Sequence, residues 1–177
     1  MPELATLLHP AVPDWSGRNR CLPSLLPPLW RDWLLDAGSL TARLSALRPG
    51  QFRVQLLAQY HGRPTPLERT ELQLHGQHSV WVREVILLLG DTPLVYARTA
   101  VPITTLNGAG KRLQSLGERS LGSFLFQQPN LRRTPLRASH CKANALGLEW
   151  SRRSVFYLGD KPLMVSEAFT GALTDFL

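Results

Sequence analysis

The chain predicts an α+β domain built on an antiparallel β-sheet, and three observations carry that prediction. Helical patterns come first, hairpin-connected strands follow with one helical insert, and one turn phrase is written twice, LGDTPL at residues 89–94 and LGDKPL at residues 158–163. Helices segregated from hairpin-linked strands are the mark of α+β folds rather than of parallel α/β folds. The repeat runs past the turn. Trp81 and Arg83 precede the first copy at the spacing at which Trp150 and Arg152 precede the second, and Arg98 after the first copy corresponds to Glu167 after the second.

Residues 1–26, rich in Pro and small residues at their start, read as an extended segment ahead of a single domain spanning residues 27–177. PPLWRDWLLDAG, from Pro27, has Pro in its first turn, apolar residues at helical spacing and Gly near its end, which predicts a short helix. Ser39 before LTARLSAL reads as the N-cap of a second helix through about Leu47, stopped by Arg48-Pro49-Gly50. FRVQLLAQY, residues 52–60, alternates as a strand does, and HGRPTP breaks it. ERTELQL, residues 68–74, also alternates and is expected to be a strand. VWVREVILLL and PLVYARTAV form a hairpin around Gly90-Asp91, a pair suited to a type II′ turn because Gly accepts positive φ. LNGAGKRLQSLG turns helical and ends at Gly117, Ser120 caps LGSFLF, and the Arg-rich LRRTPLRASHCKAN offers an edge strand and a loop before the second hairpin, residues 148–169.

Two-residue turns set a register. In the first hairpin, facing residues are expected to sum to 181, which places Arg83 opposite Arg98 on a face with Trp81, Val85, Leu87, Leu94 and Tyr96. Like charges facing across a sheet repel by roughly 0.2–1 kcal/mol unless an anion lies between them, so this face reads as a site for a small, partly apolar anion. In the second hairpin the sum is 319. Arg152 then faces Glu167 beside Trp150, Phe156, Leu163, Val165 and Phe169. Two readings of Glu167 stand together here: a partner for Arg152, and a group facing the cavity that the other arginines line.

Of 177 residues, 44% are hydrophobic, which argues against disorder; the longest apolar run, Val85 to Leu89, is too short to cross a bilayer, so no membrane insertion is expected. The first residues lack the basic start, apolar stretch and cleavage site of a secretory signal, and two cysteines, Cys21 and Cys141, make no disulfide framework, so a cytoplasmic protein is expected; a monomer is expected too, though no feature of the sequence fixes the oligomeric state. Twenty Lys and Arg against thirteen Asp and Glu give a charge of +7, nearly all from arginine, whose planar fork suits carboxylates and phosphates. Arg132, Arg133 and Arg137 form a basic run without interleaved aromatics, so a solvated loop is expected and no nucleic-acid partner. His75 and His78 lack a third ligand at a recognisable interval, GAGKRL lacks the Ser or Thr of a phosphate loop, and no G-x-S-x-G elbow is present; no metal is expected.

WVREVILL, ARTAVPITTL, SLGSFLF and GDKPLMVSEAF, in this order and spacing, resemble the chorismate pyruvate-lyase family, which opens ubiquinone synthesis in bacteria. The resemblance runs from about Leu29 to Phe169 and is weakest over residues 48–76 and 132–147. It implies a single α+β domain with a buried ligand cavity, no cofactor, chorismate as substrate, and 4-hydroxybenzoate and pyruvate as products. It also implies that Arg83 and the backbone N–H groups of Leu40 and Leu121 hold the ring carboxylate, and that Glu167 meets the ring hydroxyl. Position 40 is Leu where the family can have Met, and Ala97 replaces a Gly before Arg98. Joined to the register argument, this assigns Arg83 the ring carboxylate, Arg98 the charge of the departing enolpyruvyl group, and Glu167 the hydroxyl and proton movement. The rival reading is a non-catalytic sensor domain of related fold, of the kind attached to transcription regulators, which normally follows a helix-turn-helix domain for which residues 1–28 offer no room.

Overall fold

The computed structural model describes residues 21–142 and 145–177. Helix α1, Pro28–Leu34, begins at a proline and sinks Trp30, Trp33 and Leu34 into the core. Leu34 is fully buried, worth about 1.5–3 kcal/mol for a side chain of that size. Helix α2, Leu40–Leu47, starts where expected: the Ser39 side chain accepts from the Ala42 N–H, a cap worth about 1 kcal/mol. Strand β1, Phe52–Gly62, follows with a bulge between Leu56 and Ala58.

The expected strand at residues 68–74 is instead helix α3, Pro66–Glu71. Thr65 and Glu68 form a reciprocal capping box, the Thr65 hydroxyl accepting from the Glu68 N–H and the Glu68 carboxylate accepting from the Thr65 N–H. With Pro66 inside the first turn, two of the donors that a helix start leaves open are met locally. That local arrangement outweighs the alternation of ERTELQL.

Strands β2, Val80–Leu89, and β3, Thr92–Pro102, form the first hairpin, and β6, Leu148–Leu158, and β7, Lys161–Thr170, the second. Gly90 and Gly159 have φ of 57° and 64°, as their turns require. Between the hairpins lie a 3-10 turn over Ile103–Leu106, a longer 3-10 stretch over Gly108–Ser115 where an α-helix is expected from the sequence, helix α4, Leu121–Leu125, and the short strands β4, Arg132–Arg133, and β5, Arg137–His140. The sheet order is β1-β2-β3-β7-β6-β4, with β5 also on β6, and every pairing is antiparallel. The inner strands β3 and β7 join the two copies of the repeat, with Ala97 beside Glu167 and Thr99 beside Val165.

The second hairpin keeps its expected register, Arg152 facing Glu167 and Trp150 facing Phe169. The first does not. Leu88 faces Pro93 as the turn dictates, but a bulge intervenes and Leu87 faces Val95, so Arg83 faces Thr99 and Arg98 faces Glu84. Because side chains alternate in a strand, this slip of one residue sends Arg98 to the opposite face from Arg83.

Two apolar clusters cover one face of the sheet. One gathers α1, α2, Val85, Leu87 and Phe169, the other Trp81, Leu113, Leu125, Phe156 and Val165. The reverse face carries two smaller clusters, one around Tyr96 and Leu148 and one around Leu72 and Met164. Just ahead of α1, Leu26 is buried in the first cluster and the Cys21 N–H donates to the Ala138 carbonyl, so residues 21–26 pack onto the domain. Cys21 and Cys141 are free thiols. No helix among the described residues is long and apolar enough to cross a membrane.

Candidate active site

The gap between the two apolar clusters of the covered face is a pocket of about 550 Å³ with its open mouth included. Val54, Val85, Leu87, Phe156 and Val165 supply apolar wall, Leu40 and Leu121 stand at the two helix starts, and Arg83, Arg133, Arg152 and Glu167 supply the charge.

Arg83 is 2% exposed. Its Nη2 donates to the Gly117 and Arg119 carbonyls, both at 2.9 Å, which pins the guanidinium against the loop after the 3-10 stretch. Its Nε is buried with no partner among the described residues, and no carboxylate offsets its charge. Burial lowers its pKa to about 10, which still leaves it cationic at neutral pH. Two hydrogen bonds to neutral carbonyls do not supply the countercharge that a buried cation lacks. An anion arriving at the free edge of this guanidinium would.

Arg152 is settled differently. It is 1% exposed, its Nε lies 2.5 Å from Glu167 Oε2, and its Nη1 donates to the Trp33 and Asp36 carbonyls. Glu167 is therefore both things expected of it, a partner for Arg152 and a lining group of the pocket, its side chain 13% exposed.

Arg98, expected beside Arg83, is not in the pocket. On the reverse face its Nε donates to Glu68 Oε1 at 2.7 Å, and its Nη1 to Glu84 Oε1 at 2.8 Å and to the Tyr60 hydroxyl at 2.9 Å. Burial alone would lower its pKa, but the bond to Glu68 and its charge outweigh burial and raise it. This arginine ties α3 to the sheet and is fully neutralised by two carboxylates.

The helix starts meet over the pocket. Thr41 Oγ1 and Ser120 Oγ are 2.6 Å apart, and Gly122 makes this possible, since a Cβ there would lie 3.0 Å from Thr41 Oγ1. The Ser120 hydroxyl accepts from the Ser123 N–H, leaving the first-turn N–H of Leu121 among the donors a helix start does not satisfy internally. Among the described residues no three His, Cys, Asp or Glu side chains gather as a metal site.

Arg133 is the pocket residue that sequence reasoning placed elsewhere, in a solvated loop. A two-residue strand at the sheet edge holds it beside Phe156, and nothing in the Arg-rich text distinguishes it from its neighbours Arg132 and Arg137.

A sheet with one helix-covered face, and between sheet and helices an apolar pocket holding unneutralised guanidinium, defines a domain that binds a small organic anion. The chain belongs to the chorismate lyase family, whose profile matches residues 20–175. It is 41% identical over 172 residues to a probable chorismate pyruvate-lyase of Chromohalobacter salexigens, covering 93% of this chain and 92% of that one. It is 37% identical over 147 residues to the chorismate pyruvate-lyase of Pectobacterium atrosepticum, covering 83% and 80%. Among solved structures, the effector domain of PhnF from Mycobacterium smegmatis superposes with a TM-score of 0.54 at 16% identity, over 77% of this chain and 91% of that one, a likeness of fold.

Proposed function

We propose that this protein is a chorismate pyruvate-lyase that releases 4-hydroxybenzoate and pyruvate from chorismate, the entry step to ubiquinone. The observation that carries the reading is the Arg83 guanidinium, buried in an apolar pocket of a chorismate lyase family chain with no carboxylate partner among the described residues.

In the reaction the ether C–O bond breaks at one ring carbon and a proton leaves the neighbouring carbon that carries the hydroxyl. The electron pair of that C–H bond completes the aromatic ring, and the released enolpyruvate takes up a proton to become pyruvate. Aromatisation supplies the driving force, so the protein's task is to position the ring, neutralise charge and exclude water. In our reading Arg83 holds the ring carboxylate, helped by the N–H groups of Leu121 and Leu40. Glu167 accepts a hydrogen bond from the ring hydroxyl and lies close to the departing proton. Arg152 holds Glu167 oriented. We assign Arg98 no contact with the substrate; its part is to hold α3. We expect it to act as a monomer and place it in the cytoplasm.

Purified protein incubated with chorismate tests the reading. Formation of 4-hydroxybenzoate by absorbance and of pyruvate in equal amount by a coupled assay is expected, and no product from folded protein overturns it. A domain that only senses the ligand would bind 4-hydroxybenzoate and leave chorismate intact. Arg83→Ala is expected to raise KM for chorismate and weaken 4-hydroxybenzoate binding by tenfold or more, on the order of a lost charge-assisted pair; unchanged product binding removes Arg83 from its role.

A further inference from the structure

Chorismate carries a second carboxylate, on the enolpyruvyl group, which 4-hydroxybenzoate lacks, and with Arg98 on the far face the role given to it needs another owner. We propose that Arg133 receives this second carboxylate, and that the pocket tells substrate from product by having cations at both ends. The inference rests on the reading of the site as a chorismate pocket.

Of the three arginines lining the pocket, Arg152 is matched by Glu167. That leaves two cations, Arg83 and Arg133, with no carboxylate in ion-pair contact among the described residues, Glu167 and Asp36 acting on Arg133 only from further off, and the substrate is a dianion. Arg133 is held rather than loose. Its Nε donates to Ser154 Oγ at 2.8 Å, its Nη1 to the Ala37 carbonyl at 3.0 Å, and its guanidinium lies over the Phe156 ring at 4.5 Å. Ala37 and Phe156 thus fix its plane from two sides while it still lines the cavity. Such a fork, immobilised before the ligand arrives, binds a carboxylate at little further entropic cost.

Position separates its role from that of Arg83. Arg83 stands on β2 and Arg133 on β4, and β3, β7 and β6 lie between them. Four steps of about 4.8 Å put the two backbones roughly 19 Å apart across the sheet, from which two long side chains reach toward one pocket. Arg83 is held at the Gly117 and Arg119 carbonyls and Arg133 at the Ala37 carbonyl, so the two forks are fixed at different places on the pocket wall. A ring acid held at Arg83 with an ether-linked carboxylate on its other side can engage both.

The test uses Arg133→Gln and Arg133→Lys in the full chain with three readouts: KM for chorismate, Kd for 4-hydroxybenzoate, and Kd for 3-(carboxymethoxy)-4-hydroxybenzoate, a stable aromatic acid with a second carboxylate on the ether side. Arg133→Gln is expected to raise KM by about tenfold or more and weaken the diacid by a similar factor, while the Kd for 4-hydroxybenzoate moves less than about twofold. Arg133→Lys, which keeps the charge, is expected to fall between. Equal weakening of diacid and monoacid would assign Arg133 to holding the linker at Ala37 instead, and no change in either would remove it from the site; both outcomes overturn the proposal. If Arg133→Gln fails to fold, the diacid preference of the parent protein and its retention in Arg133→Lys decide, since equal affinity of the parent for the two acids also overturns it. Should the parent not turn over chorismate, the function fails while the two-acid comparison still reads Arg133.

Discussion

Three buried arginines show three ways of carrying charge in one small domain. Arg98 is enclosed by Glu68 and Glu84, Arg152 is matched by Glu167, and Arg83 has only two carbonyls. Replacing a partner of a buried pair leaves the other charge uncompensated, so effects at these positions separate stability from catalysis. Glu167→Gln keeps an acceptor for Arg152 but loses the negative charge; kcat is expected to fall by at least tenfold and stability by about 1–3 kcal/mol, on the scale of one weakened charged hydrogen bond. A turnover equal to the parent's in steady-state assays would show that the charge is unnecessary. For Arg98→Met the expectation is reversed. Loss of a partner to two buried carboxylates should cost about 3–5 kcal/mol in urea unfolding, while KM for chorismate in the folded fraction stays near the parent's. A large rise in KM would return Arg98 to the substrate.

At the scale of elements, the two hairpins explain what could and could not be read ahead of the coordinates. Their turns are near-identical phrases, and both obey the expected pairing next to the turn, Leu88 with Pro93 and Tyr157 with Pro162. The first hairpin then bulges on β3 right after the turn, whereas the second keeps its register until Leu148, at its far end. Since LGDTPL and LGDKPL differ at one position, the text around the turn holds no sign of which copy will slip, and the burial of Leu94 and Val95 together against the first cluster is a tertiary demand. Arg152 and Glu167 were therefore legible from the turn alone, and Arg98 was not. Helix α3 is the opposite case: the Thr-x-x-Glu spacing with Pro66 is a helix-start signal in the sequence itself. Thr65→Ala is accordingly expected to destabilise by about 1 kcal/mol in thermal or urea unfolding, as loss of a cap does. Arg133 needed the sheet order, because only pairing of the short β4 against β6 brings it to the pocket.

Across the whole molecule, the covered face leaves Arg83 without an ion pair among the described residues, while on the reverse face Arg98 meets Glu68 and Glu84. An anion that satisfies Arg83 binds only the folded state, so 4-hydroxybenzoate at about 100 times its Kd is expected to add about 2.7 kcal/mol of stability and raise Tm, a gain that a tenfold weaker Kd in Arg83→Ala cuts to about 1.4 kcal/mol. Equal Tm gains in the two proteins would show that the ligand binds elsewhere. The separation of the two faces depends on one surplus residue. Between the β2–β3 turn and Arg98 the chain holds an odd extra position at Leu94, and everything beyond it is inverted in parity relative to β2. Delete it, and Arg98 would swing inward to crowd Arg83 while Glu68 and Glu84 faced each other with no cation between them. An arithmetic accident of one amino acid decides which arginine lines the pocket and which one merely bolts the scaffold together.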